Sequence, residues 1–128
     1  MKHARIIISA CLLACIGANI TAAATYYLDS DQGNDNNSGT KARKAWKSLT
    51  KLNAVKLAPG DKVLLKAGYE FAGPLILQGS GAEDKSIVID RYGQGANPII
   101  NGQGKVENTI RLHNQRHWEI RNLTVTNT

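Results

Sequence analysis

The stretch DSDQGNDNNSGT, Asp29 to Thr40, places three Asp and three Asn in twelve positions. Oxygen ligands at that density are what calcium takes, and Asp29, Asp31 and Asp35 are the candidate ligands. A helix–loop–helix calcium site wants Gly at its sixth position and a bidentate Glu at its twelfth. Here those positions hold Asn34 and Thr40. Asp and Asn also cluster where their side chains hydrogen-bond nearby backbone and hold an irregular turn. The stretch therefore reads first as an ordered linker, with calcium as the alternative. His113 and His117 are four apart, a spacing that suits zinc on a helix, but their surroundings are strand-like.

Other side chains could neutralise charge or move a proton. The basic ones are Lys66, Arg91, Arg111, His113, Arg116, His117 and Arg121, and the carboxylates are Glu70, Asp90, Glu107 and Glu119. Arg111 and His113 alternate with Ile110 and Leu112. If the aliphatic pair points inward, Arg111 and His113 share the outer face and become the candidate substrate-binding residues. Asp90 and Arg91 read as an ion pair at a strand end. Tyr26, Tyr27, Tyr69 and Phe71 could stack on sugar rings or close a core, and Trp46 and Trp118 read as packing residues.

These groups must be positioned by something. Trp46, Leu49, Leu52 and Val55 recur every three residues, which predicts a short helix capped by Ser48 and stopped at Pro59-Gly60. After Gly60 the chain turns to strand-like runs: KVLLK (62–66), PLILQ (74–78), SIVID (86–90), NPIIN (97–101), TIRLHN (109–114), HWEI (117–120) and LTVTN (123–127). Val63 and Leu65 precede Ile87 and Ile89 by 24 residues, and these precede Ile110 and Leu112 by 23. Leu77, Ile100 and Leu123 form a second column in steps of 23. Two columns with one period predict stacked coils, hence a parallel β-helix; a meander of antiparallel hairpins is the alternative. Trp118 and Ile120 share one parity while Leu123 and Val125 share the other, which predicts a corner at Arg121-Asn122.

The first residues read as a secretory leader. Met1 to Arg5 is basic, Ile6 to Ile20 is mostly apolar and short of the ~20 residues of a spanning helix, and Thr21 to Ala24 is small. Cleavage after Ala24 predicts a secreted or periplasmic protein; cleavage before Cys15 would make a lipoprotein. Cys11 and Cys15 leave with the leader, which excludes a disulfide framework, a thiolate nucleophile and Cys-ligated zinc. Losing Lys2 and Arg5 leaves 14 basic against 10 acidic residues, a net charge near +4. That suits an acidic polysaccharide, and the scattered basic residues do not form the stripe that nucleic acid needs.

The pieces YYLDSDQGNDNNSGT, AWKSL, APGDKVLLKAGYEF, YGQGANPIINGQG and WEIRNLTVTN, in this order, resemble the N-terminal part of secreted right-handed parallel β-helix proteins of the pectate-lyase-like superfamily. The resemblance implies a leader over 1–24, a strand, loop and capping helix over 25–60, and the first turns of a right-handed parallel β-helix over 61–128. The short leader and the fold together point to a bacterial protein, expected to be a monomer at full length and to bind acidic polysaccharide of pectate or alginate type. Cleavage by elimination needs a neutralised substrate carboxylate, a base for the C5 proton and an acid for the leaving oxygen. A hydrolase would instead need two carboxylates about 5–10 Å apart. The family's groove lies on middle turns, so the expectation is a polysaccharide lyase whose catalytic residues lie beyond this chain, inactive on its own. The strand NLTVTNT carries no polar cap, which points to a piece of a longer protein. A non-catalytic adhesin or carbohydrate-binding protein is the alternative.

Overall fold

A computed structural model describes residues 22–128; the expected leader lies outside the described residues up to position 21, Cys11 and Cys15 included. Nine strands and one short α-helix organise the described chain. Strand β1 is Thr25–Leu28, and a 3₁₀ turn covers Ala42–Lys44. Helix α1 follows at Leu49–Asn53, then β2 at Lys62–Lys66, β3 at Glu70–Ala72 and β4 at Leu75–Leu77. The rest are β5 at Ile87–Tyr92, β6 at Ile99–Asn101, β7 at Ile110–Leu112, β8 at Trp118–Ile120 and β9 at Thr124–Thr126. Every strand pairing is parallel, in three sheets ordered β1-β2-β5-β8, β3-β6-β9 and β4-β7.

In β2 the alternating residues Val63 and Leu65 are buried, whereas in β5 three in a row, Ile87, Val88 and Ile89, are. Phe71 and Ile100 enter the same core from the second sheet, and Leu75 and Leu77 from the third. Each fully buried aliphatic side chain contributes about 1.5–3 kcal/mol of transfer free energy, so the sheets are held mainly by this shared interior.

Helix α1 covers that interior with Leu49 and Leu52, both 1% exposed. The Ser48 hydroxyl accepts from the Lys51 N–H at its start, and Asn53 fastens its end to β4, donating to the Pro74 carbonyl and accepting from the Ile76 N–H. The helix is shorter than the spacing from Trp46 to Val55 predicts. Trp46 lies outside it because its backbone pairs with β1, donating to the Tyr27 carbonyl and accepting from the Asp29 N–H.

The expected 23-residue period does not survive the registers. Val63 pairs with Ile89 and Leu65 with Arg91, an offset of 26. Ile87 and Ile89 stand beside Trp118 and Ile120, whereas Ile110 and Leu112 stand beside Leu75 and Leu77. In the second column Leu77 pairs with Leu112, Ile100 lies between Phe71 and Val125, and Leu123 precedes its strand. The connections differ in length from one strand to the next, so equal spacing in sequence does not make residues equivalent in space. The right-handed parallel β-helix of 23-residue turns is therefore corrected to a mostly β arrangement with few helices and several short parallel sheets. The corner at Arg121-Asn122 is present: Asn122 adopts φ 57°, and Trp118 and Leu123 both pack on the core.

Candidate functional site

The outward face of the first sheet carries a group of polar and aromatic side chains. Tyr27 and Leu64 are paired there, as are Leu64 and Asp90, and Lys66 and Tyr92. Beyond β1 the Asp29 carboxylate accepts the N–H groups of Asp31 and Gln32 on one oxygen, both at 2.9 Å, and the Lys66 ammonium on the other at 3.1 Å. Lys66 also stands 5.1 Å from the centre of the Tyr69 ring, and Tyr27 meets Tyr92 edge-to-face at 5.2 Å and 88°.

Electrostatics follow from those contacts. Burial alone would push the Asp29 carboxyl up, but the Gln32 N–H, Lys66 and the Asp31 N–H together hold it below the usual carboxylate range. Its hydrogen bond with Asp29 raises the Lys66 ammonium above the ordinary lysine value. Burial, then the Asp29 charge, raises the Tyr92 hydroxyl. At neutral pH the cluster is thus a closed ion pair among tyrosine rings.

Of the expected calcium ligands, Asp29 and Asp35 are engaged elsewhere. Asp35 accepts the N–H groups of Lys47 and Ser48 and the Ser48 hydroxyl, which ties the loop to the residues entering α1. Burial would raise its carboxyl, yet the Ser48 and Lys47 donors hold it low. Asp31 is exposed. Among the described residues no three His, Cys, Asp or Glu side chains gather as a metal site.

Arg111 and His113 are both exposed, but Leu112 between them is exposed as well, so alternation does not set the pair apart. Arg111 lines an open cleft of about 310 Å³ with Pro74, Ile76, Val106, Glu107 and Asn108. His113 is not among those lining residues; its imidazole meets the Asn114 amide at 3.1 Å. His117 adopts φ 59° in the approach to β8, where its carbonyl accepts the Ile87 N–H. The Asp90–Arg91 ion pair is replaced by another: Asp90 accepts from the Asn122 amide at 2.8 Å and pairs with Arg121 at 3.5 Å, while the Arg91 guanidinium turns to the Gly95 carbonyl. Glu70 accepts from the Asn101 amide. Trp46 is buried against Tyr26, with ring centres 4.9 Å apart. Tyr92 escaped notice in the sequence because it lies past the run SIVID; only its parity with Asp90 marked it as outward.

No protein-family model matches the chain. It is 34% identical over 134 residues to a lacto-N-biosidase of Bifidobacterium longum, covering 84% of this chain and 8% of that protein. It is 33% identical over 95 residues to the alpha-1,3-galactosidase A of Akkermansia muciniphila, covering 70% of this chain and 16% of that protein. Among solved structures, the native GH136 lacto-N-biosidase of Eubacterium ramulus superposes with a TM-score of 0.70 at 26% identity, over 81% of this chain and 20% of that one; its selenomethionine form gives 0.71. The chain thus spans less than a fifth of the curated relatives' length. These likenesses overturn the expected kinship with pectate-lyase-like proteins and the expected elimination chemistry, and nothing in them favours the adhesin. In sequence and in structure alike, the chain is similar to glycoside hydrolases.

Proposed function

We propose that this chain is part of a secreted or periplasmic glycoside hydrolase acting on a carbohydrate. The observation that carries the reading is the 34% identity to a lacto-N-biosidase over 84% of the chain. The three-sheet scaffold shared with the GH136 lacto-N-biosidase structure supports it. Export rests on the leader-like order of residues 1–24. Residues 25–60 then supply the first strand, the loop and the covering helix, and residues 61–128 the remaining strands.

Glycoside hydrolysis uses one carboxylic acid to protonate the leaving oxygen and a second carboxylate as nucleophile or base. Of the carboxylates, half-buried Asp90 is committed to Asn122 and Arg121, and exposed Glu70 accepts from Asn101. Glu107 faces the Arg111 cleft, where carboxylate, amide and guanidinium can meet sugar hydroxyls above the apolar surface of Ile76. These described residues serve substrate contact. The protein that carries this chain is tested on nitrophenyl lacto-N-bioside and nitrophenyl α-galactoside. Release of nitrophenol from either supports the reading. Unsaturated uronate from pectate or alginate, with no nitrophenol, would overturn it.

A further inference from the structure

Tyr27, Tyr69 and Tyr92 stand around Lys66, and each is half-buried. Tyr69 also packs against the core, whereas Tyr27 and Tyr92 form a surface that neither the core nor the cleft at Arg111 explains. Tyr27 and Tyr92 meet edge-to-face across the Lys66 position, and Lys66 leans over Tyr69. No hydrogen bond among the described residues uses their hydroxyls, and no buried side-chain oxygen there lacks a partner, so the hydroxyls open to solvent. The charged groups are already closed on each other at 3.1 Å.

We propose that Tyr27, Tyr69 and Tyr92, set about the Lys66–Asp29 pair, form a binding site for an uncharged pyranose ring. An aromatic face is electronegative and takes the weakly positive C–H face of a sugar ring; an edge-to-face pair offers a face and an edge at right angles. The phenol hydroxyls and the remaining Lys66 N–H groups supply directional contacts to sugar hydroxyls. Lys66 already has its counter-ion, so a uronate would bring an unmatched negative charge beside Asp29. The site therefore selects neutral sugars. It rests on the carbohydrate reading above but not on the residues that cleave.

Saturation-transfer NMR on the full chain tests it, with methyl β-galactopyranoside and N-acetyllactosamine as neutral probes and digalacturonate as the acidic one. The expected result is transfer from aromatic protons to ring C–H protons of the neutral probes, saturating at roughly millimolar concentration. Tyr92→Ala should weaken it about tenfold and Tyr92→Phe much less. Tyr27→Ser gives an independent reading should Tyr92→Ala fail to fold. Stronger binding of digalacturonate, binding indifferent to both tyrosines, or no saturable transfer would each overturn the proposal. Nitrophenol release without any such transfer would sink this site alone and leave the hydrolase standing.

Discussion

Leu112 stands directly beside Leu77 in register, yet Leu77 is 3% exposed and Leu112 39%. The same contrast repeats in the other two sheets. Ile89 is fully buried beside Ile120 at 40%, and Ile100 is fully buried beside Val125 at 49%. Among the described residues, equivalent aliphatic positions are therefore buried in one strand and open in the strand beside it.

Substitution should separate the two layers. Leu77→Ala is expected to cost about 2–5 kcal/mol by leaving a cavity, and Leu112→Ala less than about 1 kcal/mol because water already reaches it. Chemical denaturation of the two variants measures the difference; equal losses would mean that Leu112 is as well covered as Leu77.

Acid should weaken the protein through three named carboxylates. Asp29, Asp35 and Asp90 all lie below the usual range when folded, held there against burial by their hydrogen-bond donors. A lowered folded value contributes stability that is fully present above the unfolded value, about 3.9, and is lost as pH falls through the folded one. The melting temperature is therefore expected to be flat from neutrality to roughly pH 4 and to drop below it. Asp29→Asn should flatten the acid limb, because its amide oxygen still accepts backbone N–H groups but no longer charge-pairs with Lys66. An acid limb as steep in this variant would remove Asp29 from the explanation.

The strands were legible because their apolar residues alternate or cluster between Gly, Asn and Asp. KVLLK corresponds residue for residue to β2. Strand β3 was not, since Glu70-Phe71-Ala72 offers one inward residue and no alternation to detect. The pairing was not legible either. Partners are set by how far each connection lets the chain travel, so Ile87 finds Trp118, 31 positions on, rather than Ile110. The Asp29 loop showed its turn chemistry plainly, but that Lys66 closes on Asp29 depends on β1 lying beside β2. The tyrosine cluster needs the same adjacency.

Asn122 turns the corner after β8 with a left-handed backbone while its amide holds Asp90 from 32 positions away. A β-branched residue is strained at that φ and has no amide to donate. Asn122→Val is expected to cost about 2–3 kcal/mol and Asn122→Gly distinctly less, since glycine accepts the backbone and loses only the hydrogen bond. Chemical denaturation of the pair measures it. Equal losses would assign the whole effect to the Asp90 contact.

Two glycines with similar backbones separate strain from collision. Gly39 has φ 76° and Gly68 has φ 87°, so any other residue at either position bears a left-handed backbone. A methyl group on Gly68 would meet nothing within 4 Å, whereas one on Gly39 would collide with the Trp46 ring. That ring has little room to retreat, because it stacks on Tyr26 and its indole N–H donates to the Asn37 carbonyl at 2.8 Å. Gly68→Ala should therefore cost about 1–2 kcal/mol, the strain alone. Gly39→Ala should cost at least about 2 kcal/mol more, with loss of the near-ultraviolet circular dichroism that a fixed Trp46 gives. Equal losses in the two variants would mean that Trp46 can leave its place beside Tyr26 cheaply, and the anchoring of the Asp29 loop on that ring would have to be abandoned.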